Sequence, residues 1–260
     1  MKRKTLMAAV SAVVAALAIA PAAASASAAA STRSGTAPTF APLADHGGSN
    51  WTGYIDLAHR GVKFRKVAAR FRVPTVTCTS SNSKASFWVG LDGAGTPTVE
   101  QVGISTDCAS GRPRYVSWWE MFPHGTQNMF PVHPGDSIIM WVSQNCNCAI
   151  YDLSVTDTTA GHTSSFVQQS LCPPRNTCKS ATAEVILEAD NGTNLSRFTT
   201  ATFTSATVTT RSGASGGFRN TGSWNLRKSL MTGRNGAPLA TVSATSHNGE
   251  DFSFTYRQRR

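Results

Sequence analysis

Two short segments far apart in the chain each set polar side chains among apolar ones: Val99, Glu100, Gln101, Val102, Gly103 and Thr182, Ala183, Glu184, Val185, Ile186, Leu187, Glu188. In a strand successive side chains alternate faces, so Gln101 shares a face with Val99 and Gly103, and Glu184 with Ile186 and Glu188. A carboxyl group can take and return a proton, and a primary amide can hydrogen-bond developing negative charge without titrating. Together they could hydrolyse an amide bond through water. The chain holds only five glutamates, Glu100, Glu120, Glu184, Glu188 and Glu250, so each placement is informative.

Three further stretches accompany this pair: Ser49, Asn50, Trp51, Thr52, Gly53, Tyr54; then Ser86, Phe87, Trp88, Val89, Gly90, Leu91, Asp92, Gly93; then Trp118, Trp119, Glu120, Met121, Phe122, Pro123. In order and spacing the set, running from residue 49 to 190, resembles the glutamic peptidases, also called the G1 or eqolisin family, in a bacterial-type secreted form. The resemblance implies a sandwich of two antiparallel sheets and a Glu/Gln dyad, Glu184 and Gln101, that cleaves proteins or peptides, usually in acid. It implies supporting or substrate-binding roles for Trp51, Trp88, Asp92, Glu120 and Glu188, with Trp118 a weaker candidate to line the same cleft. Departures from the fungal pattern are Ser105 and Val116 in place of acids, Phe122 in place of a tyrosine and Val185 in place of an aromatic. They bear on subsite preference and pH optimum, expected at roughly pH 3 to 5 from the ordinary Glu value of about 4.3.

The elements that must position these residues read as strands. From Trp51 onward the apolar period is two, with a slip at Arg65 and Lys66 that marks a bulge within 62–73. Further strands are expected at 85–92, 98–104, 114–122, 137–143, 149–156, 182–189, 198–210, 221–228, 239–245 and 251–257, separated by turn signals such as Pro134, Gly135, Asp136 and Asn235, Gly236. No helical pattern follows the N-terminal region. Many short strands with regular turns indicate an all-β sandwich or barrel. The Gly213, Ala214, Ser215, Gly216, Gly217 run fits a nucleophile-elbow pattern, but lacks the helix that motif needs and reads as a soft loop.

Lys2, Arg3 and Lys4 precede an apolar run from Leu6 to Ala20 and then Ala/Ser repeats, so residues 1–30 read as a secretory signal peptide. Residues 31–48 are a flexible lead-in or short propeptide, and 49–260 a single sandwich domain. The expected protein is extracellular, soluble after cleavage and monomeric. Its net charge of +10 comes from basic residues scattered along the chain with no nucleic-acid motif, which makes a solvated basic surface the expectation and no nucleic acid a partner.

Six cysteines in an exported chain point to disulfides. The expected bridges are Cys78–Cys108 and Cys172–Cys178, each closing a loop between strands, whereas Cys146 and Cys148 are too close in sequence to pair without strain. The six histidines show no ligand spacing, so no metal and no cofactor are expected. Two rival functions remain open on the residues alone. One is a sandwich glycosidase using Glu184 with Glu188 or Glu120, and the other a non-catalytic carbohydrate- or protein-binding sandwich.

Overall fold

Period-two patterning folds here into seventeen strands, seen in a computed structural model that describes residues 50–145, 149–172, 178–190 and 194–257. In chain order they are β1 (Trp51–Ala58), β2 (Phe64–Arg72), β3 (Val76–Thr77), β4 (Ser86–Asp92), β5 (Val99–Ala109), β6 (Arg112–Phe122), β7 (Gln127–Pro131), β8 (Ser137–Gln144) and β9 (Ile150–Asp157). Then follow β10 (His162–Gln169), β11 (Thr182–Glu188), β12 (Arg197–Phe198), β13 (Ala201–Thr210), β14 (Ser215–Gly216), β15 (Trp224–Ser229), β16 (Ala240–Val242) and β17 (Phe252–Tyr256). The chain divides into two compact units, Met1–Gly35 and Thr36–Arg260, and every described residue belongs to the second. The expected signal peptide, the lead-in up to residue 48, Cys146 and Cys148 lie outside the described residues. Among those described, no helix is long and apolar enough to cross a membrane.

Two large antiparallel sheets form. One runs β15-β1-β11-β4-β5-β6-β7, the other β10-β9-β8-β2-β13-β17-β16 with β14 paired to β13, and β12 and β3 form a small third sheet. The two large sheets pack face to face, as expected of a sandwich. Strands β4 and β5 of the first touch β8 of the second, and Phe87 of β4 meets Phe71 of β2 at 5.0 Å between ring centroids, with Phe71 in turn 4.7 Å from Phe203 of β13. Each such fully buried aromatic contributes about 1.5–3 kcal/mol of hydrophobic stabilisation, so this inter-sheet layer is what holds the two sheets together.

The slip expected near Arg65 is a bulge: Thr209 pairs with Lys66 and Thr210 with Phe64, leaving Arg65 as the extra residue. A second irregularity lies on β13, where Ser205 has φ 52°. The run 211–217 departs from its reading as a soft loop. A turn at Arg211–Gly213 returns the chain to pair Ser215 with Thr209 and Gly216 with Val208. Two of the longer strands escaped the sequence pattern, β7 and β10, as did the two-residue β3 and β14. The β10 strand, at the edge of its sheet, alternates between exposed and half-exposed positions along its whole length, so it carries no apolar stripe to betray it.

Bridges Cys78–Cys108 and Cys172–Cys178 form as expected, with Cα–Cα separations of 5.5 and 5.0 Å.

Candidate active site

Antiparallel register lines up the chemistry. Ile55 of β1 pairs with Glu184 of β11, Glu184 with Gly90 of β4, Gly90 with Gln101 of β5, and Gln101 with Glu120 of β6. All stand on the face of the seven-stranded sheet turned away from the inter-sheet core. Glu184 and Gln101 are thus two strand spacings apart, about 9.5 Å at the backbone, with no side chain between them because the intervening residue is Gly90. A Cβ at Gly90 would lie 3.0 Å from the Trp88 ring and 3.3 Å from Gln101 Cβ. Glycine keeps the gap open.

Glu184 and Gln101 are both wholly buried. Both Glu184 carboxyl oxygens and Gln101 Oε1 lack a hydrogen-bond partner, an arrangement that costs free energy in a folded protein and leaves these atoms available to a bound molecule. Burial holds the Glu184 carboxyl well above the ordinary Glu value, and the nearby Asp92 and Glu100 carboxyls push it the same way. The Thr182 hydroxyl and the Ala94 backbone N–H lie near enough to draw it down without meeting hydrogen-bond geometry, and they do not offset this.

Glu120 anchors the amide. Gln101 Nε2 donates to Glu120 Oε2 at 2.6 Å, and the Thr126 hydroxyl donates to Glu120 Oε1 at 3.3 Å. Burial pushes Glu120 up to about 8 despite those two donors. One of the two Nε2 hydrogens is committed to Glu120, so the other is free to meet a developing oxyanion.

The next rungs are aromatic. Ile186 pairs with Trp88, Trp88 with Gly103, and Gly103 with Trp118. A Cβ on Gly103 would sit 2.6 Å from the Trp118 ring, so only glycine lets that indole lie across the strand. Trp51 meets Trp88 edge-on at 4.9 Å, and Trp51, Trp88 and Trp118 cluster with Ile55, Val99 and Ile186, packed by Ala94 and Phe122. All three expected tryptophans therefore border the dyad rung.

Glu188 does not join the dyad. It lies two rungs along, beyond Ile186, where its Oε2 accepts from Trp88 Nε1 at 3.0 Å and its Oε1 from Asn50 Nδ2 at 2.5 Å. Burial and the neighbouring Asp190 raise it well above the usual range. Asp92 makes its hydrogen bonds away from Glu184 and Gln101: its carboxylate accepts from the backbone N–H of Ser180 at 2.7 Å and of Ala181 at 2.8 Å, clamping the start of β11. Of the departures, Val185 faces the inter-sheet core and Ser105 bonds Ser86 at 3.0 Å, while Phe122 packs beside the tryptophans. Gly90, Asn50 and Thr126 escaped the sequence reading. For Gly90 a signal existed, an isolated glycine inside a buried strand, which marks a close approach.

The glycosidase reading finds no geometry. Glycosidases set two carboxyls across one bond, about 5 Å apart when retaining and up to about 10 Å when inverting, whereas the Glu120 carboxyl is bound to Gln101 and Thr126 and the Glu188 carboxyl to Trp88 and Asn50. Glu100, Cys172 and Cys178 bring ligand-type atoms within 4.8 Å of one another. The two sulfurs are bonded together and offer no thiolate.

Comparison with known proteins gives the same frame. Scytalido-glutamic peptidase, solved with a transition state analog inhibitor, superposes with a TM-score of 0.64 at 22% identity, over 80% of this chain and 98% of that one. SCP-B, a member of the eqolisin family of peptidases solved with the tripeptide Ala-Ile-His, gives the same values. Aspergilloglutamic peptidase from Aspergillus niger matches at 25% identity with a TM-score of 0.53, over 67% of this chain and 99% of that one. No curated protein sequence matches. A family description, the Peptidase A4 family, matches residues 49–256. With a match over most of its length, and a Glu and a Gln facing each other across a glycine on one sheet, the chain belongs to the Peptidase A4 family and is a glutamic endopeptidase working through a Glu/Gln pair.

Proposed function

We propose that Glu184 and Gln101 are that pair and that the protein is secreted to cleave protein or peptide substrates in acid as a monomer. The observation that carries the assignment is the rung Glu184, Gly90, Gln101, which sets a carboxyl and an amide with unsatisfied oxygens on either side of a glycine.

In this reading the Glu184 carboxylate takes a proton from a water held between it and Gln101 Oε1, and the water oxygen attacks the scissile carbonyl carbon. The carbonyl oxygen becomes an oxyanion and accepts from Gln101 Nε2. Glu184, now protonated, delivers its proton to the amide nitrogen, the C–N bond breaks, and carboxylic acid and amine products leave. The tryptophans keep bulk water from the site, which strengthens each of these interactions.

Attack needs the carboxylate form. Because burial raises Glu184, that form is populated only at higher pH than it would be in an exposed glutamate. The optimum of casein cleavage is therefore expected on the acid side but higher than the ordinary Glu value alone would place it, as read by a pH profile. A maximum at neutral or alkaline pH would assign the chemistry to another group.

Secretion rests on the basic and apolar N-terminal segment followed by Ala/Ser repeats, with removal of residues 1–30 and a lead-in over 31–48. The bacterial-type reading rests on Ser105, Val116, Phe122 and Val185; the relative whose organism is known is fungal.

Glu184→Gln is expected to lose at least a thousandfold in kcat and Gln101→Ala a hundred- to a thousandfold, each with a near-normal melting temperature. Glu250→Gln, in the turn before β17, should retain activity. Near-normal cleavage by folded Glu184→Gln would reject the assignment.

A further inference from the structure

Behind the dyad rung, on the opposite face of the same strands, runs an interior rung in which Asp56 pairs with Ala183, Ala183 with Leu91, and Leu91 with Glu100. Glu100 is the immediate neighbour of Gln101. It is wholly buried, and its Oε1 accepts the Ser170 hydroxyl at 2.6 Å. An acid in this layer needs a structural or functional reason, because an apolar side chain would fill the space at lower desolvation cost.

Ser170 opens the segment by which the chain crosses from the eight-stranded sheet, at the end of β10, to the seven-stranded sheet, at the start of β11. Its backbone N–H donates to the Ala149 carbonyl at 2.7 Å, and its hydroxyl oxygen lies 3.2 Å from Cys172 Sγ, a disulfide sulfur with no hydrogen to donate. Cys172 is bonded to Cys178, and two residues on lie Ser180 and Ala181, which Asp92 clamps. The Ser180 hydroxyl also donates to Gln144 Oε1 at 2.8 Å. Glu184 follows four residues after Ser180. The Glu100–Ser170 hydrogen bond therefore ties the strand bearing Gln101 to the disulfide-closed crossover that leads into the strand bearing Glu184, beside a longer contact of the Thr98 hydroxyl with Cys172 Sγ at 3.7 Å.

We propose that Glu100 is a positioning residue for the Glu/Gln pair: through Ser170 and the Cys172–Cys178 crossover it fixes the register and separation of β5 and β11, and so the gap in which water and substrate carbonyl meet. The role rests on the assignment of Glu184 and Gln101. It needs only a hydrogen-bond acceptor at Glu100, which a glutamine supplies and an alanine does not.

The test is a set of steady-state cleavage measurements on full-length secreted enzyme, with each variant's folded fraction fixed by its melting curve. Glu100→Ala and Ser170→Ala are each expected to lower kcat about tenfold with KM within twofold of wild type. Glu100→Gln is expected to stay within threefold of wild type. The double variant Glu100→Ala, Ser170→Ala should be no slower than the slower single one, because both break one link. A lowered melting temperature with unchanged kcat per folded molecule would make Glu100 merely structural and overturn the inference. So would a glutamine variant as slow as alanine, or additive losses in the double variant. Glu184→Gln separates the two readings: if it stays active, the dyad assignment fails, whereas an inactive Glu184→Gln beside a fully active Ser170→Ala fails only the positioning role.

Discussion

At the scale of single residues, the site depends as much on missing side chains as on present ones. Gly90 leaves room between Glu184 and Gln101, and Gly103 leaves room for the Trp118 indole. Gly90→Ala would put a methyl group 3.0 Å from the Trp88 ring and 3.3 Å from Gln101 Cβ, so both must shift by a few tenths of an ångström. Displacements of about 1 Å at a reacting centre can cost a hundredfold. The expected outcome is a fall in kcat of at least tenfold with a melting temperature within a few degrees of wild type, read by steady-state kinetics beside calorimetry. Unchanged kcat would mean that the water does not sit over Gly90. Glu120 acts at the same scale, because its carboxyl fixes the rotamer of the Gln101 amide.

At the scale of elements, β11 is where stability and chemistry meet. It lies between β1 and β4, and its first residues are held by the Asp92 carboxylate at the end of β4, where Asp92 itself adopts φ 63°. Burial raises the Asp92 carboxyl, while the backbone donors at Ala181 and Ser180 draw it back down, as expected of an acid that earns its place by capping N–H groups. Asp92→Ala leaves two buried N–H groups without their acceptor and should destabilise the fold by about 3 kcal/mol in urea titration, with Asp92→Asn costing about half as much because one acceptor remains. Equal loss for both variants would show that charge, and not hydrogen bonding, is what the position needs. Alkylation of the denatured, unreduced protein should leave Cys78, Cys108, Cys172 and Cys178 unmodified by mass spectrometry.

At the scale of the whole molecule, acids and bases are segregated. Of fourteen Asp and Glu residues, Asp56, Asp92, Glu100, Glu120, Asp136, Asp157, Glu184 and Glu188 are buried, which leaves the surface more cationic than the net charge of +10 suggests. Burial pushes Asp107 up to about 6, Asp190 to about 7, Glu100 to about 8 and Asp56 to about 9. In the unfolded chain the same groups release their protons near pH 4. The folded state therefore holds more protons between about pH 4 and 9, and the free energy of unfolding falls as pH rises through that window. This stabilisation is complete below the unfolded values and is lost as pH passes the folded ones. The melting temperature should fall steadily from about pH 4 upward and be at least about 10 °C lower at pH 9. Asp56, whose two oxygens have no hydrogen-bond partner, should account for part of the loss: Asp56→Asn, neutral at every pH, is expected to flatten the alkaline side of the profile. A profile that rises toward pH 9 would contradict this.

The local alternation of apolar and polar residues determined most of the strands, and the bulge at Arg65 showed as a break in that alternation, because a pleated strand turns a one-residue slip directly into a change of face. Glu184 and Gln101 were singled out by the motif resemblance more than by patterning, because an isolated polar side chain in a strand reads equally as one facing solvent. Strand β10 was not legible, because an edge strand exposed along its length has no apolar face to announce it. Nor could sequence tell that Glu188 holds Trp88 or that Asp92 caps the start of β11, nor set Glu100 against Ser170, seventy positions away. Those assignments depend on which strands become neighbours and in what register. Pairing β11 beside β4 and β4 beside β5 places Gly90 between Glu184 and Gln101, and only long-range packing of one sheet on the other selects that order.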